Sequence, residues 1–334
     1  MTPALHVLNP GLWTTVQDLG RPGFQHLGVP VGGALDPVSL RAANLLVGNP
    51  PDLGTLEVAY LGPTLAVEAG DVRLAIVGAK ATIEILPNAG VANGRRIEAL
   101  GSIKLRRDEV LRIGGLSGGS VLYVAVEGGF EIAPVLGGVS TCIRGGFGGW
   151  KGRTLAAGDR IPLRQMRASV REEVRLNGFD FTPPGRFRAI PGPQCDCFSE
   201  RDLARFFESE YTISSGSDRM GMRLSGPALL HRHGVDIVSD GVAPGSVQVT
   251  GSGQPIVLPA DRQTTGGYPK IATVISADLP ALGRLAVGTK IAFEPVSVEA
   301  AETARRKLLA EIDSLSERIA PLDQSGVPNR LARA

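Results

Sequence analysis

One short stretch gathers several groups able to bind a polar substrate: Asp261, Arg262, Gln263, Thr264 and Thr265 run directly onto Gly266 and Gly267, with Tyr268 next. Glutamine and threonine side chains and the amides of two adjacent glycines offer donors to a carbonyl, and Tyr268 could donate to a developing oxyanion. Arg262 can grip a carboxylate or an acyl phosphate through its planar fork. A second stretch, Thr14–Asp36 (TTVQDLGRPGFQHLGVPVGGALD), adds Arg21 as another anion holder and Asp18, His26 and Asp36 as candidate acid/base groups. His26 qualifies because imidazole titrates near neutrality. Each assignment has a plainer counterpart. The 261–268 segment can be a tight hairpin whose polar groups serve its own backbone, Asp18 and Arg21 can pair with each other three residues apart, and Asp36 reads first as a helix cap.

The elements around these stretches read mainly as strands. Val247 and Val249 alternate, Pro255–Leu258 and Ile271–Ile275 are apolar runs, and the polar segment lies between the last two. Thr14–Asp36 is dense in Gly and Pro, the profile of a binding loop. Asp36-Pro37 then opens a helix with Leu40, Ala43, Asn44 and Val47 at helical spacing up to Gly48. From 56 to 163, short runs are expected as strands at Leu56–Tyr60, Thr64–Glu68, Val72–Val77, Thr82–Leu86, Ser102–Leu105, Val110–Ile113, Val121–Val126 and Arg160–Leu163. The nearly continuous apolar run VLYVAV places Val121–Val126 centrally. Gly137–Gly152 is a second Gly-rich loop, carrying Arg144, Trp150 and Lys151.

Charge and Pro183-Pro184-Gly185 mark a boundary within 165–188. Beyond it come Phe187–Pro191, a helix over about Ser199–Glu210, and strands near Thr212–Ser214, Met222–Leu224, Val235–Val238, Val247–Val249, Ile256–Leu258, Ile271–Ile275 and Lys290–Phe293. Leu155–Leu163 and Leu285–Phe293 share the pattern L-A-x-G-x-[RK]-I-x-[LF], and each closes its half, which suggests a duplication. Ser297 caps a helix from Val298 to about Ala320, and Pro321 onward is expected to be disordered. The division is 1–185, 186–296 and 297–334.

Composition narrows the function classes. The 334 residues carry 35 Lys+Arg against 33 Asp+Glu, a net charge of +2 that argues against a nucleic-acid partner. No segment approaches a membrane span and none resembles a secretory leader, so a cytoplasmic protein is expected. Three cysteines, Cys142, Cys195 and Cys197, suit reduced thiols. Gly115-Leu116-Ser117-Gly118-Gly119 has the spacing of a nucleophile elbow but runs into a strand, so it reads as a turn. His231-x-His233 lacks a third ligand, so no metal is expected, and G-x-x-x-x-G-K-[ST] is absent.

Three longer runs carry a resemblance: TTVQDLGRPGFQHLGVPVGGALDPVSLRAANLLVGN at 14–49, GGFGGWKGRTLAAGD at 145–159 and GSGQPIVLPADRQTTGGYPKI at 251–271. Together, in this order, they resemble the biotin-dependent carboxyltransferase family, which includes allophanate hydrolase subunit 2, KipA proteins, the C-type subunit of 5-oxoprolinase and half of the urea carboxylase transferase domain. The resemblance implies two cyclophilin-like β-barrel subdomains with a few short helices and a C-terminal helix. For a separate chain of this size, it implies the 5-oxoprolinase branch: ATP-dependent opening of the 5-oxoproline lactam to glutamate. Partners implied are a subunit of the 5-oxoprolinase B or KipI type and a lactam-hydrolase subunit. ATP would be shared with them, and biotin, since no M-K-M occurs, would arrive on another chain.

A lactam or urea carbonyl and N–H suit Gln263, Thr264, Thr265 and the Gly266 and Gly267 amides. Alternatives are a KipA-type module that binds a kinase-inhibitor protein, or the transferase half of a urea-type carboxylase. One departure is Asp218 in SDRMG, where the family pattern has Asn; it sets an extra negative charge beside Arg219. The expected site is a groove shared by the segments near Arg21 and Gln263 and completed by a second protein.

Overall fold

The computed structural model describes residues 2–87 and 94–322. The first half is a nine-stranded sheet ordered Trp13–Gln17, Thr55–Ala59, Val110–Val126, Thr64–Glu68, Ala4–Asn9, Arg160–Pro162. Asp71–Leu86 also pairs along Val110–Val126 and carries Arg95–Ile97 and Ser102–Arg106 on its other edge. The second half is a closed seven-stranded barrel, ordered Phe187–Pro191, Lys270–Val274, Ser246–Val249, Pro255–Val257, Met222–Ser225, Glu210–Ile213, Lys290–Pro295. The parallel pairing of Phe187–Pro191 with Lys290–Pro295 closes it. The fold is thus mainly β with few helices, as the patterning and the resemblance indicated. No helix among the described residues is long and apolar enough to cross a membrane.

Several elements differ from their sequence reading. Val72–Val77 and Thr82–Leu86 belong to one 16-residue strand, and Val110–Ile113 and Val121–Val126 to one 17-residue strand. Register shifts between Gly78 and Lys80 and between Ala81 and Ile83 bend this long pair without breaking it. The G-x-S-x-G segment is therefore a strand interior, not a turn: Ser117 pairs with Lys80, and Gly118 at φ +69° takes up the bend. Val235–Val238 is not a strand. Val238 is 91% exposed, and the barrel ladder closes without it. The C-terminal helix ends at Asp313, and Ile319–Pro321 forms a strand on Val174–Leu176, so order extends past the expected end at Ala320; residues 323–334 lie outside the described residues.

Val121–Val126 is buried on both faces. Leu122, Val124 and Val126 enter the core of the first sheet. Val121, Tyr123 and Ala125 meet the Pro37–Leu46 helix on the other side, in an apolar layer that also takes Ile312 and Leu315 of the tail. Both other long helices start as their caps dictate, with the Ser199 hydroxyl accepting from the Asp202 amide and Ser297 from Ala300.

The echoed segments make the same turn. Gly158 and Gly288 sit at φ +85° and +84°. The Gly158 amide donates to Val7 O and that of Gly288 to Ile213 O, both at 2.8 Å. In return the Val7 amide donates to Asp159 O and the Ile213 amide to Thr289 O, at 2.8 and 3.0 Å. The residue after the glycine differs. Buried Asp159 accepts two bonds from Arg153 and one from the Ala156 amide, and Arg153 foremost holds its carboxyl well below the usual range. A depressed carboxyl pKa contributes stability above the unfolded value of about 3.9 and loses it as pH falls. Asp159→Asn is expected to lower unfolding free energy by about 1–3 kcal/mol at neutral pH, with the gap to wild type closing below pH 4. Denaturant titrations at both pH values check this, and a gap independent of pH would contradict it.

A second prediction concerns the barrel core. Tyr211 is fully buried against Phe206 and Phe293, its hydroxyl has no partner among the described residues, and burial pushes its pKa up to about 12. Removing an unpaired buried hydroxyl leaves packing intact. Tyr211→Phe should therefore be neutral or stabilising by up to about 1 kcal/mol, read as an unchanged or raised melting temperature. A loss of stability would show that the hydroxyl is bonded.

Candidate functional site

The two halves meet through buried polar contacts. Arg219, on the turn before Met222–Ser225, reaches into the first half, where its guanidinium pairs with Glu57 and donates to Gly33 O at 2.5 Å. Within its own half it pairs with Asp261 at 2.7 and 3.0 Å. Glu57 also accepts from the Tyr123 hydroxyl at 2.7 Å and the Leu35 amide at 2.9 Å. Burial opposes the Arg219 charge, yet Glu57 and Asp261 outweigh it and hold its pKa above the ordinary guanidinium value. Burial, then Glu57 and Asp36, keep Tyr123 neutral well above the usual phenol range. A second tie joins Arg284 to Asp36 at 2.9 Å, and the Ser120 amide donates to Arg284 O.

Two cavities lie along this junction. The larger, about 520 Å³, is lined from the first half by Trp13, Gly28–Pro30, Cys142–Gly145 and Phe147, and from the second by Asp218–Met220 and Asp261–Thr265. The smaller, about 370 Å³, is more apolar and shares Trp13, Asp218 and Arg219 with it. Arg262, Gln263, Thr264 and Thr265 therefore line a cleft between the halves. The lip opposite comes from the loop after Arg21, at Gly28–Pro30.

Arg262 is buried, its Nε donates to Val242 O at 2.9 Å, and burial pulls its pKa below the ordinary value. No carboxylate pairs with it among the described residues. Arg144, exposed on the cavity wall, likewise has no ion-pair partner among them. Asp261 is engaged by Arg219. The cavity thus carries two guanidinium groups outside any ion pair among the described residues, which suits it to an anion.

The remaining sequence candidates stand elsewhere. Arg21 is fully buried. Its Nε donates to Val135 O at 3.2 Å, its Nη2 to Ser140 O, and its guanidinium lies over the Phe147 ring. It braces the loop that presents Cys142–Phe147 to the cavity. Asp18 does not pair with Arg21. Its carboxylate accepts from Gly20 N at 2.7 Å, Val139 N at 2.6 Å and the Ser140 hydroxyl, because three nearby donors of the folded loops reach it first. Asp36 caps its helix through the Val38 and Ser39 amides and anchors Arg284. His26, on the single turn Gln25–Leu27, and Tyr268 are exposed and line neither cavity.

Neither Gly266 nor Gly267 has a positive φ. Thr265–Gly266 pairs with Asp240–Gly241. A Cβ on Gly266 would sit 2.5 and 2.8 Å from the Gln248 and Gln263 side-chain amide nitrogens, so both side chains would have to shift to admit one.

Arg219, Glu57, Asp261, Arg144 and Asp218 form the electrostatic frame of the cleft; the sequence reading placed Asp261 in the binding stretch but gave Glu57 and Arg144 no role and noted Asp218 only beside Arg219. A usable signal was present for Glu57: a lone carboxylate amid the buried run TLEVA. Among the described residues no cluster of three or more His, Cys, Asp or Glu could hold a metal ion.

Residues 27–295 match the family model for the carboxyltransferase domain, subdomains A and B. The C-type subunit of 5-oxoprolinase from Escherichia coli is 38% identical over 316 residues, spanning 94% of this chain and 98% of the relative. That of Haemophilus influenzae is 35% identical over 301 residues, spanning 90% of this chain and 94% of the relative. Among solved structures, the Kluyveromyces lactis urea amidolyase superposes with a TM-score of 0.85 at 27% identity, spanning 96% of this chain but 21% of that one. The urea carboxylase from the same organism gives 0.84 at 27% identity, spanning 96% and 31%.

Proposed function

Because the chain belongs to the carboxyltransferase domain family, subdomains A and B, we propose that it is the C-type subunit of a 5-oxoprolinase, opening 5-oxoproline to L-glutamate together with its partner subunits. The observation that carries this reading is the cleft between the halves: the Arg262 and Arg144 guanidinium groups, neither in an ion pair among the described residues, beside Gln263, Thr264 and Thr265. Arg262, with Arg144 at the rim, holds the substrate carboxylate in this reading. Gln263, Thr264 and Thr265 offer donors to the lactam oxygen, which gains negative charge as the ring carbonyl is attacked.

Ring opening also needs a group to activate the lactam and a positioned water. The chain presents no phosphate-binding loop, so a partner subunit supplies most of the ATP site. An acyl phosphate, where formed, would fit the same guanidinium groups, since both are anionic. Biotin would come on another chain, as this one has no M-K-M segment. Three free cysteines accord with work in the reducing cytoplasm.

The urea enzymes support a second reading, a biotin-dependent carboxyltransferase half. They match along only 21% and 31% of their length, whereas the oxoprolinase subunits match nearly end to end. Reconstitution with the partner subunits tests the choice. ATP hydrolysis that depends on 5-oxoproline and yields glutamate is expected. Turnover of urea with carboxylated biotin in place of 5-oxoproline would reverse it.

A further inference from the structure

The row from Arg262 to Thr265 is held from behind by a segment that is not part of the barrel ladder. Thr265–Gly266 forms with Asp240–Gly241 a two-stranded ribbon separate from the seven barrel strands. On either side of that pairing the Ile237 amide donates to Gly267 O at 2.8 Å and the Val242 amide to Thr264 O at 3.0 Å. Val242 O then accepts from Arg262 Nε at 2.9 Å, the one hydrogen bond that orients this guanidinium among the described residues. The placing of Arg262 thus depends on where the 240–242 strand lies, and a ribbon of two short strands is too small to hold itself in place.

The barrel supplies the hold through Lys270. This lysine opens the barrel strand Lys270–Val274, its side chain is 3% exposed, and its Nζ donates to Asp240 Oδ2 at 2.9 Å. Gln194 completes the joint, its side-chain nitrogen donating to the same Asp240 oxygen at 3.3 Å and its Oε1 accepting from the Lys270 amide at 3.3 Å. A buried ammonium is a costly way to fill a barrel position, because an apolar side chain of similar length packs there without desolvating a charge. What the charge adds is a directed link from the rigid barrel to the ribbon. We propose that Lys270 is a positioning residue for the cleft: through Asp240 it holds the 240–242 strand, and through Val242 it sets where the Arg262 guanidinium stands. The inference rests on the reading of the cleft as a 5-oxoproline site. Lys270 itself lines neither cavity.

Two variants separate this role from plain stability. Asp240→Ala, at a side chain 52% exposed, leaves the buried Lys270 charge without its partner and should lower the melting temperature and raise KM for 5-oxoproline together. Asp240→Ala combined with Lys270→Met removes that charge as well, so the melting temperature should return toward wild type while the link stays broken. In the complex with partner subunits, KM should remain raised about 10-fold in the double variant with kcat little changed, because a displaced carboxylate holder weakens ground state and transition state alike. The same two changes added to Arg262→Ala should raise KM by less than about twofold more, since the link acts through that guanidinium. A KM that recovers along with the melting temperature, or an equal rise with and without Arg262, would overturn the role of Lys270 and leave the functional reading standing. If the wild-type complex turns over no 5-oxoproline, the functional reading fails and this inference falls with it.

Discussion

Glu57→Ala is expected to lower unfolding free energy by about 3–5 kcal/mol, the range found when one member of a buried ion pair is removed. The side chains of Glu57 and Arg219 are 2% and 8% exposed. Truncation leaves the guanidinium with Asp261 and Gly33 O but without the partner in the other half, and it strips the Tyr123 hydroxyl and the Leu35 amide of their acceptor. The loss should fall on the junction, so the two halves should melt in separate steps where wild type melts in one. Arg219→Met combined with Glu57→Leu should recover only part of the loss, because Asp261 then loses its guanidinium partner. Calorimetry and a double-mutant cycle read this directly. A change below about 1 kcal/mol for Glu57→Ala would mean that the pair is solvated and does not hold the halves together.

Arg262→Ala has the opposite profile. Among the described residues its guanidinium makes one hydrogen bond, to Val242 O, and burial already disfavours its charge. Removing it should leave stability unchanged or slightly raised. In the reconstituted complex, kcat/KM for 5-oxoproline should fall by about 30-fold or more, since truncating one partner of a buried charged contact costs roughly 2–5 kcal/mol. Arg262→Lys keeps the charge and loses the fork, and should fall between. Arg144→Ala, at the exposed rim, should have a smaller effect that fades with salt. Equal turnover by wild type and Arg262→Ala would remove Arg262 from the site.

Much of this was legible in the residues because local rules and the fold agree. Asp36-Pro37, Ser199 and Ser297 start helices where capping chemistry places them, and VLYVAV is central because a strand apolar on both faces must be covered on both. The repeated L-A-x-G-x-[RK]-I segment marked a turn that recurs in both halves, since each copy needs a glycine at positive φ. The long bent strands were not legible: Gly78 and Gly115–Gly119 look like turns, and only pairing across about 40 residues of sequence reveals a continuous ladder. In the site, Arg262–Thr265 was legible as a polar run after a buried strand. Arg21 and Asp18 resemble ligand-binding groups by residue type, but burial turned both toward the loop that frames the cavity. Arg219 and Glu57 lie 162 positions apart, and their pairing exists only once the halves meet.

The central claim is that the cleft between the halves receives 5-oxoproline through its carboxylate. A crystal structure of the assembled complex with 5-oxoproline tests that most directly. The ligand should occupy the cavity of about 520 Å³, with its carboxylate on the Arg262 guanidinium and its lactam oxygen facing Gln263, Thr264 and Thr265. A ligand seated away from this cleft, with Arg262 touching only Val242, would contradict the claim.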